Sequence, residues 1–132
     1  MLYVVPTPIG NLEDMTARSL RALKESEVVF CEDTRRTRQL MSHFGLSTPL
    51  ERYDESDARS VEKVLERLRR GRDVALVSDG GCPGVSDPGR RAVAAARREG
   101  LPVTALPGPA AVTAAVAGSG LPGDSFVFLG FL

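Results

Sequence analysis

The chain has 132 residues, 42% of them hydrophobic, a size and composition that suit one folded domain and leave too little sequence for two. Seventeen basic residues balance seventeen acidic ones, so no net charge draws the protein toward nucleic acid or an acidic surface. Fifteen of the seventeen basic residues are Arg, whose planar guanidinium pairs bidentately with carboxylate and phosphate, so local Arg clusters count for more than the sum.

In chain order, Leu2–Val5 reads as a buried strand and is followed by a Pro/Gly loop from Pro6 to Gly10. A helix capped by Asp14 or Thr16 comes next, with Leu20 and Leu23 on its apolar side. Val28–Cys31 is a second strand. From about Arg36 to Phe44 a helix places Leu40, Met41 and Phe44 on one face, and Gly45 stops it. Leu50–Tyr53 is a weaker strand. The clearest helix is Ala58–Arg70, with its stripe of Val61, Val64, Leu65 and Leu68 closed by Gly71.

Val74–Val77 is a central strand, and a long loop from Ser78 to Gly89 leads into a helix through Ala92–Glu99. Val103–Leu106 is the fifth strand, and Pro107-Gly108-Pro109 opens an Ala-rich helix from Ala110 to about Ala117. Strand–helix alternation of this kind predicts an α/β domain: a mainly parallel five-stranded sheet with helices on both faces. Ligands of such sheets bind beyond the carboxyl ends of the strands, where all three Gly/Pro-rich segments fall.

Two cysteines, Cys31 and Cys82, are too few for the disulfide framework of a small secreted domain, and reduced thiols in a cytoplasmic protein are expected. No apolar run reaches the roughly 18 residues of a membrane span. His43 is the only histidine, which argues against a His-based metal site. Phe126–Leu132 is an apolar run at the chain's end. It completes the sheet, pairs with a second copy, or marks where the chain was cut ahead of another domain; the last is the expectation.

Two segments carry candidate chemistry. The Gly80–Gly89 loop has glycines that let backbone approach a ligand and prolines that stiffen it, and its length exceeds the usual two to six residues of a strand–helix connection. It lacks a Walker sequence, and no Gly-x-Gly-x-x-Gly follows a strand, so main-chain and apolar contacts fit it better than a phosphate cradle. Asp79 stands at its start, where chemistry is expected. The second segment, Glu32-Asp33-Thr34-Arg35-Arg36-Thr37-Arg38, follows a strand end directly. Arg35, Arg36 and Arg38 suit a phosphodiester backbone; equally, Glu32 or Asp33 caps the next helix and the Arg side chains are solvated.

Four motifs in order carry a family resemblance: Tyr3–Leu12, Glu32–Arg35, Ser78–Gly89 and Pro107–Ala111. Together they resemble the 16S rRNA (cytidine-2′-O)-methyltransferase branch of the tetrapyrrole (corrin/porphyrin) methylase superfamily. The resemblance implies an N-terminal domain over residues 1–125, residues 126–132 as an interdomain connection or final strand, and a second domain beyond. It further implies S-adenosylmethionine in the cleft between domains, a homodimer, a cytoplasmic location, and 16S rRNA of the small ribosomal subunit as partner.

Carried over by position, Ile9 and Gly10, the Asp79-Gly80-Gly81-Cys82 stretch, Val85, and Ala110 with Ala111 border the cofactor. Cys82 departs from the acid of the tetrapyrrole enzymes, and the rRNA branch usually shows Ala and Thr where Gly80 and Cys82 stand. Methyl transfer to a ribose hydroxyl needs alignment and a base. The expected base or orienting acid is Glu32 or Asp33, with Arg35 positioning phosphate. A small-molecule (precorrin- or porphyrin-type) methyltransferase and a non-catalytic binding or dimerisation domain are the alternatives. The Arg cluster separates the first alternative from an RNA enzyme, because a tetrapyrrole has no phosphodiester to hold.

Overall fold

A computed structural model describes residues 1–131. Five strands, β1 (Leu2–Val5), β2 (Val28–Cys31), β3 (Leu50–Arg52), β4 (Val74–Val77) and β5 (Val103–Ala105), pair in the order β3-β2-β4-β1-β5. Every pairing is parallel. Five helices join them: α1 (Ala17–Glu25), α2 (Thr34–His43), α3 (Ala58–Arg69), α4 (Arg90–Arg98) and α5 (Ala111–Gly118), with a 3-10 turn at Leu12–Asp14. The expected α/β architecture is the one observed.

The two central strands are buried at every position, as unbroken Val-Val-Phe-Cys and Val-Ala-Leu-Val runs require when both sheet faces are covered. On one face, Leu2, Val28, Phe30, Val74 and Leu76 pack against Val64, Leu65 and Leu68 of α3 and Ala92, Ala95 and Ala96 of α4. On the other, Val5, Val29, Cys31, Ala75 and Val77 meet Ala22 and Leu23 of α1 and Met41 of α2. Burying one Leu or Val side chain contributes roughly 1.5–3 kcal/mol, so these two layers dominate stability.

This layering shapes one rim of the sheet. β1 and β4 are neighbours, yet the helix that follows β1 packs on one face and the helix that follows β4 packs on the other. The chain therefore opens a crevice between the carboxyl ends of β1 and β4, the switch point at which such sheets hold ligands. Strand order is invisible to local periodicity, and the crevice is the main gain over the sequence reading.

Helix starts shift for identifiable reasons. Asp33 Oδ1 accepts the N–H groups of Arg35 and Arg36, so α2 begins at Thr34, two residues ahead of the expected Arg36. Thr16 caps α1 by accepting the N–H of Ser19. α4 begins at Arg90 behind Gly89, which has φ +130° and no side chain to cap with. Its cap comes from outside: Glu55 accepts the N–H of Gly89 at 2.8 Å and of Arg91 at 3.0 Å.

Phe126–Phe131 joins no strand, and Phe126, Val127, Phe128, Leu129 and Phe131 are exposed. α5 buries none of its residues. Leu132 lies outside the described residues. Among the described residues no helix is long and apolar enough to cross a membrane.

Candidate active site at the carboxyl rim of the sheet

Three turns meet at the crevice. Thr7 and Gly81 exchange backbone hydrogen bonds at 3.0 and 2.9 Å, joining the loop after β1 to the loop after β4. Thr7 is buried, and its hydroxyl donates to the Ser78 carbonyl at 3.0 Å; the Ser78 hydroxyl donates to the Gly81 carbonyl at 3.1 Å. The Cys82 thiol lies 3.5 Å from the Pro109 carbonyl and so ties the β4 loop to the turn after β5.

Close approach makes the small residues necessary. A Cβ on Gly80 would sit 3.2 Å from the Pro8 carbonyl oxygen, and Gly81 has φ +86°, a conformation that disfavours any side chain. A Cβ on Gly108 would meet the Pro6 ring at 2.9 Å.

The turns enclose a cavity of about 820 Å³. Of the residues expected at a cofactor, Ile9, Gly10, Asp79, Gly80, Gly81, Cys82, Val85, Ala110 and Ala111 all line it. Phe128 and Phe131 of the terminal segment line it too, a contribution the sequence reading missed. The volume lies within the roughly 300–1,000 Å³ of small-molecule sites.

Its electrostatics favour a cation. Burial first, and the Asp79 charge second, push the Asp87 carboxyl above its ordinary value. Asp79 Oδ1 is buried without a hydrogen-bond partner, and its Oδ2 lies 3.8 Å from the Arg36 guanidinium. Burial, reinforced by Asp87, raises the Cys82 thiol, so Cys82 sits there as a neutral, semi-polar group. Cys31, buried at the end of β2, is raised chiefly by the same desolvation.

A second cavity of about 320 Å³ adjoins the first and shares Pro8, Gly10, Arg36 and Asp79 with it. Arg35 and Arg38 line an open groove on the outer side of α2, while Arg36 faces the cavities. The cluster Arg35, Arg36 and Arg38 is thus split between two surfaces of one helix. Asp33 is spent on capping α2, and Glu32 is exposed just after β2. Neither carboxylate lines either cavity.

A parallel sheet with a Gly/Pro-walled hollow at its switch point defines an α/β small-ligand-binding domain. The sequence pattern of the family described as tetrapyrrole (corrin/porphyrin) methylases matches residues 1–129, and the chain belongs to that family. It is 49% identical to a "Ribosomal RNA small subunit methyltransferase I" of Hydrogenobaculum sp. over 98% of this chain and 57% of the relative. With the protein of the same name from Thermotoga maritima it shares 46% identity over 99% of this chain and 60% of the relative.

Among solved structures it is similar to a uroporphyrin-III C-methyl transferase from Thermus thermophilus complexed with S-adenyl homocysteine. The TM-score is 0.64 at 26% identity, over 92% of this chain and 48% of that one. A cobalt precorrin-4 methyltransferase shares the fold with a TM-score of 0.69 over 88% of this chain. The chain spans about half the length of the curated relatives it matches, between 57% and 46% for the first two.

Proposed function

We propose that this chain is the N-terminal α/β domain, over residues 1–125, of an S-adenosylmethionine-dependent methyltransferase that acts on a cytidine ribose 2′-hydroxyl in 16S rRNA. Residues 126–132 then form the connection to a second domain, whose packing would cover α5 and the exposed Phe and Leu side chains. The single observation that carries the reading is the larger cavity, walled by all three Gly/Pro turns and edged by two carboxylates, with Arg36 in its lining.

The lining fits the donor. Backbone at Gly80 and Gly81 is open to close approach, Ala110, Ala111 and Val85 offer apolar contact, and Asp79 brings a carboxylate to the wall. When bound, S-adenosylmethionine supplies an electrophilic methyl group on a sulfonium cation. Asp79 and Asp87 hold negative charge near a cationic ligand, and Cys82 keeps its face of the cavity uncharged. Arg35 and Arg38 position phosphates, with Arg36 between them and the cavities.

For the acid–base role, Glu32 is free at the rim, and Asp33 acts through the α2 terminus that it caps and that presents Arg35 and Arg36. A cytoplasmic location and a homodimer accompany the reading. The Arg groove on α2 favours RNA over a tetrapyrrole.

The test is methyl transfer from S-adenosylmethionine to small ribosomal subunits by the protein at its natural length, with Glu32→Gln and Asp33→Asn alongside. Turnover of Glu32→Gln is expected to fall by about 10²-fold, the usual scale for acid–base groups. Asn caps a helix as well as Asp, so a fall in Asp33→Asn reports a need for the Asp33 charge itself. Unchanged turnover in both retires their assignment. Transfer only to a porphyrin-type acceptor favours the small-molecule alternative. Calorimetry on the 132-residue chain alone is expected to find weak or undetectable donor binding, as half a cleft would give.

A further inference from the structure

Beside the larger cavity lies the 320 Å³ hollow between the β1 loop, α2 and the end of β4. Its size is at the lower limit of roughly 300–1,000 Å³ for small-ligand sites, a scale that suits one nucleoside. Pro8, Leu12 and Leu40 give it apolar walls, and Asn11 and Gln39 place carboxamides at its edge.

The two amides differ in what they offer. Asn11 Oδ1 already accepts the Glu13 N–H at 2.9 Å, so its free groups are amide hydrogens. Gln39 is exposed, and its side-chain amide offers both a donor and an acceptor. A donor on one side and a donor–acceptor pair on the other can read the edge of a nucleobase, and the base to be read is the pyrimidine of the proposed acceptor.

The hollow is also connected at each end. Asp79 is common to the linings of this hollow and the larger one, so a ribose entering here lies against the wall that the two hollows share. Gln39 also lines the outer groove that holds Arg35, Arg38 and His43, a path for the phosphates on either side.

We infer that this smaller hollow receives a single extruded pyrimidine nucleotide of the RNA acceptor, with its base read by Asn11 and Gln39 and its ribose turned toward Asp79. The inference rests on the reading of the chain as an RNA ribose methyltransferase, and it adds which residues set base preference. Sequence-specific RNA recognition targets unstacked nucleotides whose base edges can be read, and a pocket that reads such an edge supplies selectivity.

The test compares cytidine with uridine at the acceptor position, in the protein at its natural length. Asn11→Ala combined with Gln39→Ala is expected to reduce the preference for cytidine by about tenfold, the scale of one or two neutral hydrogen bonds. Both side chains are exposed, and affinity for the donor, measured by calorimetry, is expected to stay within about twofold. A second variant, Leu40→Trp, fills the hollow from α2 and is expected to abolish transfer while donor affinity persists.

Undiminished base preference in the double variant, or normal transfer by Leu40→Trp, overturns the inference while the methyltransferase reading stands. A wild-type protein that methylates no ribose of small-subunit RNA overturns both.

Discussion

The carboxylate of Glu55 accepts the backbone N–H of Gly89 at 2.8 Å, so a side chain from the loop before α3 caps a helix 34 residues further along the chain. The same carboxylate accepts the Arg91 N–H and the hydroxyl of buried Tyr53, while the Arg91 guanidinium donates to the Glu55 carbonyl. Burial alone would raise the Glu55 carboxyl, but these donors outweigh it and hold the group below its ordinary value. Tyr53 is pushed upward by burial and by its carboxylate neighbour.

Glu55→Ala is therefore expected to lower stability by about 1 kcal/mol, the worth of a helix cap, and to loosen residues 82–89. Amide hydrogen exchange across that loop, together with thermal melting, checks both. The sign with pH follows from the lowered carboxyl: the contribution is complete above the ordinary value of 4.5 and is lost as pH falls through the lower folded value. Wild type and variant should converge in stability at strongly acid pH.

Asp87 gives the opposite titration. Its carboxyl is raised above the ordinary 3.8, and only its charged form attracts a cationic ligand. Donor affinity at the natural length should be full above that raised value and decline as pH is lowered through it. Asp87→Asn should weaken binding at neutral pH and flatten this acid limb in a calorimetric pH series.

Gly108 supports the third turn by its lack of a side chain. In Gly108→Ala the new Cβ would fall 2.9 Å from Cβ and 3.1 Å from Cγ of Pro6, a ring that cannot swing aside. Overpacking of this kind costs about 1–3 kcal/mol, so the melting temperature should drop. The displaced turn carries Ala110 and Ala111, so donor affinity should fall with it.

Arg35 and Arg38 lie along the outer groove of α2, where RNA phosphates are proposed to run. Replacing both with Gln should weaken RNA binding without changing base preference. The slope of log affinity against log salt should shrink by about 0.7 per charge removed for single-stranded RNA. An unchanged slope places the RNA elsewhere.

The sheet strands and helices were readable because each depends on neighbours in sequence: Val-rich runs for β2 and β4, the Val61-Val64-Leu65-Leu68 stripe for α3, Thr16 before α1. The nine residues carried over from the motifs were readable in the sequence, and all of them line the larger cavity. Glu55 carried no signal. Its partner is 34 residues away, and an acid in a loop has no period or spacing to mark it.

By itself the sequence determined a parallel α/β domain with three Gly/Pro turns, since periodicity, caps and turn residues act over a few bonds. Only the tertiary structure decided that β4 lies beside β1, with the helices that leave them on opposite faces. That choice depends on which apolar faces bury each other across the whole chain, and it turns three separate turns into one crevice with two adjoining hollows.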